Sequence, residues 1–193
     1  MATYNRKRDA RVNRHLAGAV SIPQLSEEDL LKQLERQDEP PFLLLLDGVE
    51  DPHNLGACLR TADAVGVQAV VAPRKGSSAL TETVRRISCG GADHVPYVRV
   101  KNLNNTIRDL KDRGIRCVAT SDHAVDPFYA VDLGGPLAIV MGAEGKGVRR
   151  LTGELCDDHV RIPMQGHVDC LNLSVATGVC LFEALRQRVK QLA

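Results

Sequence analysis

Three polar segments punctuated by glycine carry most of the side chains in this chain that could do chemistry. The first reads Asp51-Pro52-His53-Asn54-Leu55-Gly56-Ala57-Cys58-Leu59-Arg60. Asn54 or Asp51 can cap a helix starting there, and Gly56 lets another backbone approach its first turn. Arg60 has two readings: a surface arginine paired with an acid such as Asp63, or a cation projecting towards a ligand at a sheet's carboxyl edge. The second segment, Gly142-Ala143-Glu144-Gly145-Lys146-Gly147, sets glycines around one carboxylate, so backbone donors and carbonyls can turn inward. It is not a phosphate-binding P-loop, because Gly147 stands where Ser or Thr must follow Gly-Lys. An ordinary glycine-rich turn is its plain alternative. The third segment runs Ile162-Pro163-Met164-Gln165-Gly166 and then Leu171-Asn172-Leu173-Ser174-Val175-Ala176-Thr177-Gly178. Asn172 and Ser174 suit a polar-capped helix N-terminus. Ala176 and Gly178 permit close packing against a neighbouring element.

Elements able to position these segments alternate along the chain. Ser26 opens an S-E-E-D capping box, and Leu30, Leu31 and Leu34 recur at helical spacing, predicting a short helix before Pro40-Pro41. The apolar run Phe42 to Leu46 predicts a buried parallel strand. Beyond it the pattern predicts helices over 55–65, 79–88, 103–112, 148–156 and 173–190, with Gly114 as a C-cap. Strands are expected over 67–72, 95–100, 115–119, 136–141 and 159–163. The fold class is α/β with a mainly parallel sheet, and each chemical segment follows a strand.

Bulk properties narrow the function. With 193 residues, 44% hydrophobic and 25% charged, the chain fits one soluble domain with a real core. A net charge of +1 does not advertise a polyanionic partner for the chain as a whole. Residues 1–16, however, carry Arg6, Lys7, Arg8, Arg11 and Arg14 against the single acid Asp9. Such an arm can lie along a phosphate backbone, or simply be solvated. Six cysteines without a C-x-x-C pair predict buried reduced thiols and neither a disulfide framework nor a metal site. No signal-peptide pattern or apolar run of about 18 residues is present, so a cytoplasmic protein without a membrane span is expected. The missing G-x-G-x-x-G fingerprint disfavours a nucleotide-dependent oxidoreductase.

Taken in order, the three segments resemble the signatures of the SpoU (TrmH-type) branch of the SPOUT RNA methyltransferases. Asn54, Gly56 and Arg60 match N-x-G-x-x-x-R. Gly142, Glu144 and Gly147 match G-x-E-x-x-G, and Leu171, Asn172, Ser174, Ala176 and Gly178 match L-N-[VL]-S-x-A-x-[GA]. The resemblance covers about residues 42 to 189. Within the branch, D-P-H-N-L-G-A-C-L-R, M-G-A-E-G and the run following Leu171 are most similar to members acting on guanosine in bacterial large-subunit rRNA.

The resemblance implies a deep C-terminal trefoil knot, S-adenosylmethionine as cofactor, a homodimer, and methylation of a ribose 2′-hydroxyl of RNA, a guanosine of 23S rRNA first. It implies a cofactor pocket at Gly142, Ile162 and Leu171, with Thr120, Ser121 and Met164 as wall residues. The implied catalytic residue is Arg60, followed by Glu144 and Asn172. A guanidinium is a poor base because its neutral form is scarce, so Arg60 is expected to hold a phosphate and stabilise alkoxide charge. Arg6, Arg8, Arg11, Asn54 and Arg60 are the expected RNA contacts. His53 reads equally as a local hydrogen-bonding residue or a proton carrier. The organisation expected is a basic arm over 1–24, a short helix and linker over 25–41, and the catalytic domain over 42–193. Two departures stand out. Cys170 occupies the position where relatives commonly have serine, and a thiol is the weaker hydrogen-bond donor. About 40 residues precede the first strand, fewer than the separate RNA-binding domain of such relatives needs, so the chain is either naturally short or a catalytic fragment. A tRNA ribose methyltransferase is the alternative within the class; a non-catalytic RNA-binding or assembly factor is the alternative outside it.

Overall fold

Leu43, Leu44, Leu45 and Leu46 are wholly buried, although side chains alternate between the two faces of a strand. Both faces of β1 (Phe42–Asp47) must therefore be covered, and helices cover them. In the computed structural model, which describes residues 25–191, the expected contacts Arg6, Arg8 and Arg11 lie outside the described residues. The sheet has seven strands: β1, β2 (Ala69–Pro73), β3 (Tyr97–Val100), β4 (Arg116–Thr120), β5 (Asp126–Pro127), β6 (Leu137–Gly142) and β7 (Asp158–Arg161). Every pairing is parallel, in the order β3-β2-β1-β6-β4-β7-β5.

Leu44, Leu46 and Val70 face α2 (Pro52–Val65), α3 (Glu82–Ser88) and α7 (Leu173–Gln191), packing with Leu55, Leu59, Ala62, Cys180 and Leu181. Leu43, Leu45 and Val71 face α1 (Glu27–Arg36) and α5 (Leu103–Asp112) through Leu30, Leu34, Ile107 and Leu110. Full burial of a leucine contributes about 1.5–3 kcal/mol as an upper estimate, so β1 alone is anchored by a gross term on the order of 10 kcal/mol. That anchor makes the loop after Asp47 a defined platform.

The element types match the sequence pattern, while several boundaries move for local reasons. Helix α2 starts at Pro52, ahead of the expected Leu55, because Asp51 caps it: its side chain accepts from the His53 N–H at 2.9 Å and proline suits the first turn. Asn54, the other candidate cap, lies inside the helix. Helix α3 begins only at Glu82, behind Thr81 as N-cap. Arg113 takes the C-cap of α5, and Gly114 follows it at φ +73°. Three short elements have no periodic signature: α4 (Gly91–His94), the two-residue β5 and a 3₁₀ turn over Phe128–Ala130. Helix α6 (Arg150–Leu155) is shorter than expected at both ends. Among the described residues, no helix is long and apolar enough to cross a membrane.

Candidate active site at the carboxyl edge of the sheet

The strand order reverses beside β1: β2 and β3 extend to one side, β6, β4 and β7 to the other. Open α/β sheets bind ligands in the crevice at such a reversal, beyond the carboxyl ends of the strands. Asp47 and Gly142, the last residues of β1 and β6, are paired in register there. A cavity of about 300 Å³ opens between the loops leaving these two strands. Its charged and polar lining includes Asp47, Glu50, Asn54, Glu144, Lys146 and Arg149.

The three sequence segments meet at one side chain. Asn172 Nδ2 donates to Asn54 Oδ1 at 3.1 Å and to Glu144 Oε1 at 2.7 Å. Its Oδ1 accepts from Ser174 N at 2.9 Å, Ser174 Oγ at 2.6 Å and Val175 N at 3.4 Å. With backbone donors facing the oxygen and acceptors facing the nitrogen, the amide orientation is determined: a flip would lose the bonds to Ser174 N, Val175 N, Glu144 Oε1 and Asn54 Oδ1. Asn172 thus caps α7 and ties it to α2 and to the Glu144 loop. Leu173 N donates to the same Glu144 Oε1 at 3.3 Å. Asn54 is buried at 6% exposure, where an unpaired amide oxygen would be costly, and Asn172 satisfies that oxygen. Beneath the contact, Cys58 Sγ donates to Thr177 Oγ1 at 3.5 Å across the α2–α7 seam.

The Glu144 loop is held by its own backbone. Ala143 N donates to Gly147 O at 3.1 Å and Gly147 N to Ala143 O at 2.8 Å, closing a small antiparallel bridge. A Cβ on Gly142 would lie 1.9 Å from Gly147 C and 2.0 Å from Val148 N, so only glycine fits where the loop returns across its own start. The exit residue Arg149 was not singled out in the sequence. Its N–H donates at 3.0 Å to Oδ2 of the buried Asp47, and its Nη1 lies 3.2 Å from Oδ1, in ion-pair range but without hydrogen-bond alignment. A carboxylate closing an otherwise leucine-rich strand was the only sequence signal for this pair.

The expected cofactor residues occupy the other half of the edge. Thr120, Gly142 and the residue before Ile162 end three adjacent strands, β4, β6 and β7. Thr120 Oγ1 donates to Val140 O at 3.3 Å, and Ser121 N to Val160 O at 2.9 Å. Ile162 packs on the core cluster that contains Met141 and Leu173, while Met164 and Leu171 are half-buried. Strand-end backbone groups beside half-buried apolar side chains suit a flat heterocycle with a polar rim. None of the six lines the 300 Å³ cavity.

Arg60 stands apart from both halves. It is exposed on α2, its Nη1 donates to Cys89 Sγ at 3.4 Å, and no ion pair with Asp63 forms. His53 Nδ1 sits 3.1 Å from Asp51 Oδ1 and is engaged locally. The His53 backbone N–H and then its ring hold the Asp51 carboxyl below the usual carboxylate range. Cys170, at the serine position, is exposed.

Residues 41–182 match the model of the SpoU rRNA methylase family. The 23S rRNA (guanosine-2′-O-)-methyltransferase RlmB of Pseudomonas aeruginosa is 54% identical over 178 residues, covering 92% of this chain and 72% of that protein. The SpoU methyltransferase AviRb from Streptomyces viridochromogenes, solved in complex with AdoMet, superposes with a TM-score of 0.74 at 28% identity, covering 80% of this chain and 63% of that one. The TrmH/SpoU tRNA modifying enzyme of A. aeolicus gives a TM-score of 0.70 at 33% identity, covering 86% of this chain and 85% of that one. The chain therefore spans about three-quarters or less of the first two and most of the third. On a match that takes in all three interlocked segments, this chain belongs to the SpoU rRNA methylase family.

Proposed function

We propose that this chain transfers a methyl group from S-adenosylmethionine to a ribose 2′-hydroxyl of RNA, with a guanosine of 23S rRNA as the substrate. The observation that carries the reading is the Asn172 junction, which fixes Asn54 and Glu144 beside a cavity at the sheet's switch point. The 54% identity to a 23S rRNA guanosine methyltransferase supports the rRNA substrate. A tRNA substrate is the second reading, supported by the likeness to the A. aeolicus tRNA modifying enzyme.

Thr120, Ser121, Gly142, Ile162, Met164 and Leu171 would hold the cofactor, largely through backbone and apolar contacts, in a pocket closed by the family's knot. Bound there, it supplies an electrophilic methyl group. The chain's own part is placement. Glu144 and Asn172 keep the loop and helix in register, and Arg60 holds the phosphate next to the reacting ribose and stabilises charge growing on its oxygen. Helix α7 leaves Val175, Phe182 and Val189 exposed at heptad spacing, and a second copy of the chain covers that stripe in a homodimer. The setting is cytoplasmic.

Radiolabelled methyl transfer to bulk rRNA and tRNA, followed by mapping of the labelled nucleoside, tests the reading. 2′-O-Methylguanosine in 23S rRNA is expected, with single-turnover rate reduced about 100-fold or more by Arg60→Ala, in line with loss of one transition-state donor. Label on a base atom, or normal turnover by Arg60→Ala, rejects the corresponding half of the proposal. Sedimentation of the same protein as a monomer rejects the dimer.

A further inference from the structure

The charges lining the switch-point cavity are unevenly committed. Asp47 is engaged by Arg149, Asp51 by His53, and Glu144 by Asn172 and Leu173 N. The side chains of Glu50 and Lys146 line the same cavity and make no hydrogen bond or ion pair among the described residues, although the Lys146 backbone N–H donates to Ala143 O. Both are exposed, and they come from the two loops, after β1 and after β6, that line the cavity. A carboxylate and an ammonium without ion-pair partners on the lining of one cavity of about 300 Å³ offer a polar recognition pair to a complementary edge.

The lining also excludes one obvious ligand. It carries the carboxylates of Asp47, Glu50, Asp51 and Glu144 against only Lys146 and Arg149, and Arg149 is already paired. A net acidic cavity repels phosphate, so the backbone of a nucleic acid belongs outside it. A nucleobase edge can instead present donors to the carboxylate and an acceptor to the cation. Guanine offers N1–H and the N2 amine side by side with O6 next to them. A carboxylate accepts the first two together, and Lys is a usual partner of O6. Adenine presents an acceptor at N1 and would leave Glu50 facing a lone pair. Uracil and cytosine each place a carbonyl or ring acceptor where the second donor is required.

We propose that this cavity seats the guanine base of the target nucleotide, with Glu50 accepting from N1–H and N2–H and Lys146 donating to O6, making these two side chains specificity determinants. The inference rests on the methyltransferase reading for its biological substrate, but the base preference is testable without methyl transfer.

The full chain is titrated with GMP, IMP and AMP and followed by NMR. GMP binds, IMP, lacking the N2 amine, binds more weakly, and AMP binds at least tenfold more weakly still. Glu50→Gln weakens GMP roughly ten- to hundredfold and abolishes the GMP-over-IMP preference, the range expected for one bidentate base contact. Lys146→Met weakens GMP and IMP alike. Equal binding of AMP and GMP, no binding of GMP at all, or a Glu50→Gln variant with unchanged preference overturns the assignment. Methylation of transcribed 23S rRNA separates the two levels. A wild-type chain that binds GMP selectively yet labels no RNA defeats the methyltransferase reading alone. An active wild type whose kcat/KM is unaltered in Glu50→Gln defeats the guanine assignment alone.

Discussion

The two halves of the sheet's carboxyl edge are built from different materials. At the ends of β1 and β6 the site is made by side chains: Asn54, Glu144 and Asn172 are joined by bonds of 2.7 and 3.1 Å, and charged groups line the cavity beside them. At the ends of β4 and β7 the half proposed for the cofactor is made by backbone, with Thr120, Ser121 and Ile162 at strand ends beside half-buried apolar surface. Gly142 belongs to both, ending β6 and letting the Glu144 loop fold back across it. Side-chain recognition suits a substrate that must be chosen among similar bases. Backbone and apolar recognition suits a cofactor that is always the same.

The largest effect should come from the shared residue. Gly142→Ala sets a Cβ about 2 Å from the peptide joining Gly147 and Val148, and backbone cannot yield as a flexible side chain would. Loss of roughly 4 kcal/mol or more, in the range of the most damaging substitutions, is expected in urea denaturation, together with loss of S-adenosylmethionine binding by calorimetry. Gly166→Ala, with nothing within 4 Å of the added atom, should stay within about 0.5 kcal/mol of the parent. If both variants behave alike, close backbone packing is not what shapes this edge.

Why the halves were unequally legible follows from the same contrast. Asn172 could be read from the sequence as a helix cap, and Asn54 and Glu144 as polar groups in glycine-punctuated segments, while the catalytic roles expected of Glu144 and Asn172 came through family resemblance. Thr120, Ser121 and Met164 carry no such signal, since nearly any residue supplies a peptide group, and they were reached only through family resemblance. The strands were visible in apolar runs such as Phe42–Leu46. The start of α2 was misplaced by three residues because Asp51 and Asn54 are equally good caps on paper, and only the packing that buries Asn54 chooses between them. Arg149 escaped notice because its partner Asp47 lies about a hundred residues away in sequence. Glu50 and Lys146 escaped because an uncommitted surface charge has no sequence signature until a cavity is seen between two of them.

The junction itself can be cut with little change in volume. Asn172→Asp keeps an oxygen for capping α7 but turns a second carboxylate oxygen towards Glu144 Oε1, 2.7 Å away, and Asn54 Oδ1, 3.1 Å away. Like charges at such distance cannot both stay ionised without strain. Single-turnover methylation is expected to fall about 100-fold while cofactor affinity changes less than about threefold. A parallel loss of cofactor affinity would show that the halves act as one unit.

The smallest effect concerns thiols, and it reads the two halves without altering either. Burial pushes Cys58 from the ordinary 9.0 up to about 11, against a smaller lowering by Thr177, and pushes Cys117 and Cys180 to about 12. Held protonated in the fold, these thiols contribute stability that is complete below pH 9.0 and declines as pH rises towards about 11–12, because the unfolded chain ionises first. At pH 8 they should resist iodoacetamide in the native protein, while the exposed Cys89 and Cys170 react. Cys170 directly precedes Leu171, one of the residues proposed for the cofactor pocket, whereas Cys89 sits beside Arg60. Saturating S-adenosylmethionine should therefore slow modification of Cys170 several-fold, read by mass spectrometry, and leave Cys89 unchanged. Equal protection of both would point to a global tightening of the fold, and protection of neither would remove the segment before Leu171 from the cofactor half.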